Sequence, residues 1–479
     1  MSNKVVTGIQ VVSALIFILS SPVSAKDDHE HGDHRLPNMF KSSNKHGEDA
    51  TYSIEGYIDL KNPFFKSLGS NGRSCASCHI PSQGWTITPE GVQKIFNKTK
   101  GLDPLFRLVD GANSPIADVS SLEKRREAYS MLLNKGNIRV GIGIPADAEF
   151  ELIEADDPYG FASETELSLF RRPMPTTNLK FLSTVMWDGR ETTQMPGSND
   201  CIYNTTTCFS PVSFDLSTQA NHATRGHAEA LQDLTNEERD AIVAFELGLF
   251  TAQIHDDKAG NLTAEKAQGG PKALSKQHYY FGINDTLAGD YKTRLPFNPV
   301  VMSLYDSWAS IKPNKSANSA KNARAAIARG QTLFNTKPIM ISGVKGINDD
   351  LNINVLPGTC TTCHNTPNSG NHSTPMPLDI GIADESRRTP DMPLYTLKNK
   401  TTNEIIKTTD PGRALITGKW KDIGRFKGPI LRSVASRPPY FHDGSASDLR
   451  EVVEFYNTRF NIGLTESEKD DLIAFLAAL

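Results

Sequence analysis

The sequence predicts a mainly α protein with few or no strands, built as two copies of one small domain joined by an ordered connector. Three observations predict it. The pattern Cys-x-x-Cys-His occurs twice, at Cys75-Ala76-Ser77-Cys78-His79 and at Cys360-Thr361-Thr362-Cys363-His364. Each is followed, in the same order, by a proline-led segment, an Asp-Gly turn and a capped helix. Between the copies, residues 254–320 carry Tyr279, Tyr280, Trp308 and several apolar residues, more than a flexible linker would.

Taken from the start, residues 1–25 read as an export signal. Lys4 supplies the positive end, an apolar run follows from Val11 to Leu19, and Val23-Ser24-Ala25 gives a small-x-small cleavage site. The run is shorter than the roughly 18–20 residues that a membrane span needs, so cleavage is expected rather than retention as an anchor. Residues 26–50 are polar and hold His29, His31, His34 and His46; a disordered arm is expected. The remaining boundaries are 51–253 for the first copy, 254–320 for the connector and 321–479 for the second. At 479 residues the chain can bury several cores, and its net charge of −4 with acids and bases intermixed excludes a nucleic-acid footprint.

The repeat is clearest in the helices that close each copy. Thr235 and Thr465 are the N-caps, and Glu238 and Glu468, three residues on, complete capping boxes. Ile242, Val243 and Phe245 in one match Leu472, Ile473 and Phe475 in the other, on one helical face. Upstream, Arg172-Pro173-Met174-Pro175-Thr176 leads to Trp187-Asp188-Gly189, and Lys427-Gly428-Pro429-Ile430-Leu431 leads to His442-Asp443-Gly444. From the Asp-Gly turn to the capping threonine, the first copy is longer by 25 residues (46 positions against 21). The surplus contains Cys201 and Cys208, for which export permits a disulfide, and a polar helical stretch from Asp215 to Leu231.

The paired motifs carry the chemistry. Two thiols at this spacing add across the vinyl groups of a porphyrin, and the adjacent imidazole becomes an axial ligand. Two covalently attached c-type haems are therefore expected, held by Cys75, Cys78 and His79 and by Cys360, Cys363 and His364. The sixth ligands stay open. Met174 and Met186 are candidates in the first copy; His372, Met376 and Met392 follow the second motif.

These motifs, with Trp187-Asp188-Gly189-Arg190 and the run from Phe426-Lys427-Gly428-Pro429 through Pro439-Tyr440-Phe441-His442-Asp443-Gly444, resemble the bacterial di-haem cytochrome c peroxidase family, which includes the MauG-type enzymes. The resemblance covers most of 50–253 and 320–479. It implies two cytochrome c-like haem domains and a periplasmic enzyme that reduces hydrogen peroxide with electrons from a small cytochrome or copper protein. The MauG-type variant uses peroxide to oxidise another substrate. It also implies that Trp187 relays electrons between the haems, and that Gln219, with Glu229 ten residues later, lines the peroxide pocket. His227 lies in the same segment and is a second candidate base. Calcium is the further cofactor the family brings, although Arg171 and Arg172 stand where typical members place an asparagine. A homodimer is the family's common assembly. The alternative of a different class is a non-catalytic di-haem electron-transfer cytochrome.

Overall fold

Among the described residues thirteen strands accompany ten α-helices, which corrects the expectation of a mainly α chain with few or no strands. The structure, a computed structural model, describes residues 34–193, 209–312 and 319–479. The expected export signal (1–25) and the Cys201–Cys208 pair lie outside them. The strands escaped a sequence reading for a physical reason. They are two to eight residues long, and two of the central pairings join segments remote in the chain. Gly47–Ser53 pairs antiparallel with Leu249–Asp256, and Phe150–Asp156 pairs with Leu394–Asn399. Leu394–Asn399 is buried along almost its whole length, so it shows no alternation of apolar and polar positions.

Strands also fill much of the stretch 35–50 where disorder was expected: Arg35–Pro37, Phe40–Asn44 and the first part of Gly47–Ser53. Their polar side chains have partners. Ser433 and Ser436 donate to the buried Asp49 carboxylate, and Asn44 bonds Gln253 at 2.9 Å. Gly47 sits at φ +139°, where a Cβ would lie 2.2 Å from the His255 carbonyl oxygen. The close pairing of these strands therefore requires glycine there.

The capping boxes form as read, at Thr235 with Glu238 and at Thr465 with Glu468. Helix Glu466–Ala477 packs on helix Ala320–Thr336, with Phe334 and Phe475 rings 5.6 Å apart. Gly330 makes that approach possible, since a Cβ there would meet the Asp471 carbonyl oxygen at 2.0 Å. In the first copy, the three-residue turn Pro63–Phe65 takes the place of a long opening helix against Asn236–Leu247. Residues of the 254–320 stretch enter the second copy's core: Leu262, Met302 and the stacked pair Tyr305 and Trp308, 4.8 Å apart.

Residues Arg35–Leu479 form one compact unit. No helix among the described residues is long and apolar enough to cross a membrane.

Candidate functional site

Each Cys-x-x-Cys-His begins as one turn of 3-10 helix, at Cys75–Ser77 and Cys360–Thr362. A hydroxyl pair closes each turn: Ser74 with Ser77, and Thr359 with Thr362. The four thiols are free, not paired as disulfides. Burial pushes Cys75, Cys360 and Cys363 up to about 12 and Cys78 up to about 11. They therefore stand as neutral thiols in apolar surroundings.

The imidazoles repeat one geometry. His79 Nδ1 faces the Trp85 carbonyl at 3.2 Å, and His364 Nδ1 faces the Gly370 carbonyl at 2.6 Å, six residues on in both cases. A nitrogen facing a carbonyl must carry the proton, so Nε2 of each ring presents a lone pair. Burial pulls both rings down to about 4 and keeps them neutral.

Both motifs line one continuous cavity of about 420 Å³, within the range of cofactor sites. Leu216, Gln219, Ala223 and His227 of helix Val212–His227 lie along one wall at helical spacing. Tyr456, Leu472 and Leu476 line the second motif's side. In the middle the two copies exchange backbone bonds. Arg172 N donates to the His442 carbonyl (2.6 Å), and Lys427 N donates to the Trp187 carbonyl (2.9 Å). These are corresponding positions of the repeat, as are Met186 and Phe441, both at φ +66°. Trp187 donates from Nε1 to the Arg172 carbonyl at 2.8 Å, and its ring lies edge-on to His442 at 6.4 Å. His442 stacks on Phe426 at 4.2 Å, and neither of its ring nitrogens has a hydrogen-bond partner.

Three cations line this cavity and hydrogen-bond only to carbonyls. Arg172 reaches Lys135, Gly136 and Pro438; Lys427 reaches Thr184; Arg437 reaches Ile430 and Arg432. Burial pulls them down, to about 9, 7 and 10 respectively. A buried cation without a counter-ion costs several kcal/mol; of the three, Arg437 has the Asp49 carboxylate in electrostatic reach, and none makes an ion pair, so a cavity walled this way suits an anionic occupant. Thiol pairs, imidazole lone pairs, apolar walls and unmatched cations together fit haem: vinyl groups for the thiols, iron for Nε2 and propionates for the cations.

The other expected site residues divide. Gln219 and His227 share the cavity wall. His227 Nδ1 bonds the Asp110 carboxylate at 2.5 Å, and Arg73 donates to the same carboxylate. Burial alone would raise Asp110, but the His227 bond and the Arg73 charge hold it below its ordinary value. Glu229 does not join them: the helix ends at His227, and Glu229, at φ +54°, is exposed with Asn71 Nδ2 donating to it at 2.9 Å. Met174 and Met186 line the cavity, and the Met174 backbone carbonyl reaches the His79 ring. His372 Nδ1 faces the Cys363 carbonyl at 3.0 Å, on the His364 side, while its Nε2 has no partner.

Arg171 spans two carboxylates, with Nη1 to Asp188 at 2.5 Å and a two-pronged bond to Asp410 at 2.7 and 2.9 Å. Among the described residues no cluster of three or more His, Cys, Asp or Glu could hold a metal ion.

Tyr456, Asp110 and Glu246 join the site without having been anticipated. Tyr456 faces the cavity in electrostatic reach of Cys360 and Cys363; burial, then those thiols, push its phenol well up. Glu246 was open to discovery through the repeat, where it matches Leu476. Asp110 left no sequence signal.

No family model matches the chain. Among curated proteins, it is 32% identical over 132 residues to "Cytochrome-c peroxidase IdrP2" of Denitromonas iodatirespirans, covering 26% of this chain and 36% of that protein. It is 29% identical over 184 residues to "Cytochrome-c peroxidase IdrP1" of Pseudomonas sp. (strain SCT), covering 34% and 42%. It is 36% identical over 74 residues to "Cytochrome c551 peroxidase" of Nitrosomonas europaea, covering 15% and 22%. The chain thus spans well under half the length of these relatives. Among solved structures, a MauG-like protein associated with microbial copper homeostasis covers 88% of this chain and 86% of its own, at 16% identity and a TM-score of 0.36; that likeness is too weak to carry an argument. Over these segments, the curated proteins that the chain resembles are cytochrome c peroxidases.

Proposed function

We propose that the chain is a periplasmic di-haem peroxidase. It holds two covalent haems and reduces hydrogen peroxide to two waters with two protons and two electrons from a small cytochrome or copper protein. The observation that carries this reading is the cavity lined by both Cys-x-x-Cys-His motifs and by Trp187. Bound haem supplies iron-centred electron transfer and cleavage of the peroxide bond.

The chain's own residues supply the rest. Cys75, Cys78, Cys360 and Cys363 anchor the cofactors; His79 and His364 present Nε2 to the irons; Arg172, Lys427 and Arg437 neutralise the propionates. Tyr456, which lines the cavity in electrostatic reach of Cys360 and Cys363, would offer its phenol oxygen to the group held there, an oxygen donor of a type that haem iron accepts. With such a donor at the second site, we read that site as the electron-transfer one and the first as the one that meets peroxide. There His227, held by Asp110, takes the proton from one peroxide oxygen and returns it to the other, while Gln219 orients peroxide by hydrogen bonding. Trp187 provides the one-electron step between the sites.

The test is direct. Haem is counted by its alkaline pyridine spectrum, and peroxide-dependent oxidation of a reduced small cytochrome is followed. Two haems per chain and turnover support the reading. Two haems without turnover leave an electron carrier instead.

A further inference from the structure

The helices Asn236–Leu247 and Glu466–Ala477 correspond residue for residue when counted from their capping threonines. Ile242 and Leu472 fall at one offset, and both line the cavity. One turn on, Glu246 stands where the second copy has Leu476, and both again line the cavity. Glu246 is 5% exposed, and its Oε2 has no hydrogen-bond partner. A slot that is apolar in one copy therefore holds a carboxyl in the other. Burial alone pushes that carboxyl up to about 8.

The charged groups on neighbouring elements are engaged elsewhere. Lys180 donates to the Ser275 and Gln277 carbonyls, Asp215 accepts from Ser210, His222 faces Glu191 and His227 bonds Asp110; Lys66 is exposed. On the helix itself, Glu237 is exposed, Glu238 is half-buried and accepts from the capping Thr235, Arg239 lies against Asp240, and all four are at the end remote from Glu246. The Cys75 thiol does feel Glu246, and thioether formation ends its titration.

We propose that Glu246 is a proton-binding site coupled to the oxidation state of the haem held by Cys75, Cys78 and His79. The proposal rests on the haem reading above. When the iron goes from the ferric to the ferrous state, the site gains one negative charge. A nearby carboxylate in a low-dielectric slot then binds a proton from solvent, forming its O–H bond. On oxidation the electron leaves and the proton returns to solvent. Linkage makes the effect reciprocal: protonation of Glu246 raises the potential of that haem. With Leu476 at the matching position, the second haem lacks this coupling.

The experiment is a spectroelectrochemical titration of the holoprotein between pH 6 and 9. One haem should lose potential with rising pH, by up to about 59 mV per pH unit for one proton per electron, while the other stays nearly flat. Glu246→Gln and Glu246→Leu should abolish the slope with both haems still attached. A slope that survives in these variants, or two flat potentials in the wild type, overturns the proposal. Should the variants fail to mature, proton uptake on reducing the wild type in weak buffer near pH 8 decides: uptake supports it and none overturns it. Missing covalent haem in the wild type overturns the haem reading itself, which the pyridine spectrum reports separately.

Discussion

His79 and His364 show how little freedom a ligand is left. A carbonyl six residues on fixes the tautomer and the ring plane, so Nε2 points into the cavity before any cofactor arrives. His227 is held in the same manner, but by a carboxylate that is itself pinned by Arg73. Asp110 is therefore a positioning residue. Asp110→Asn should keep both haems but lower kcat for peroxide by about 10- to 100-fold with KM little changed, because an amide no longer holds the His227 ring in one orientation. His227→Ala should cost about 10²–10⁴-fold, the range for a lost acid–base group. Wild-type rates in both would assign the proton chemistry elsewhere. At Trp187, substitution by Phe removes the most easily oxidised ring between the sites. Stopped-flow absorbance should show slower inter-haem transfer with unchanged haem content; an unchanged rate removes Trp187 from the path.

At the scale of elements, the helices were legible and the strands were not. Thr235, Glu238, Thr465 and Glu468 act within three residues of one another, so their capping boxes can be read directly from the chain. Two central pairings join segments far apart in the chain, as Ala50 with Ala252, and nothing local encodes them; the remaining pairings are local, but their strands are short. Glu229 is an intermediate case. Its spacing from Gln219 fits the family pattern, but the helix stops at His227 and turns the carboxylate out to Asn71. Two substitutions test the helical account by chemical denaturation. Thr465→Ala should cost about 1 kcal/mol through the lost cap. Gly330→Ala should cost about 1–3 kcal/mol, because the new methyl meets the Asp471 carbonyl across a tight helix crossing. A neutral result at Gly330 would mean that the helices can separate without loss.

Across the whole molecule, the repeat is interlocked rather than strung out. Arg172 bonds the second copy's turn and Lys427 bonds the first's, so the residues around Trp187 and His442 are shared by both centres. The paired Cys-x-x-Cys-His motifs are legible in the sequence, whereas the junction between them, and the buried cations facing it, emerge only in three dimensions. Asp49 ties the N-terminal strands into the same unit through Ser433 and Ser436. Burial pushes it up to about 6, above its unfolded value near 4. The folded state then binds more protons between roughly pH 4 and 6, and stability should fall as pH rises through that window. Asp49→Asn should remove the slope and gain on the order of 1–3 kcal/mol at pH 7; an unaltered slope would point to another group.

The central claim is that one cavity couples an electron-accepting site to a peroxide-reacting one. A redox-poised optical titration followed by peroxide addition tests it most directly. The account predicts two haems with different potentials, one of them spectrally open, and oxidation of both when peroxide reaches the reduced protein. Two low-spin, six-coordinate haems in every oxidation state, inert to peroxide, would contradict it.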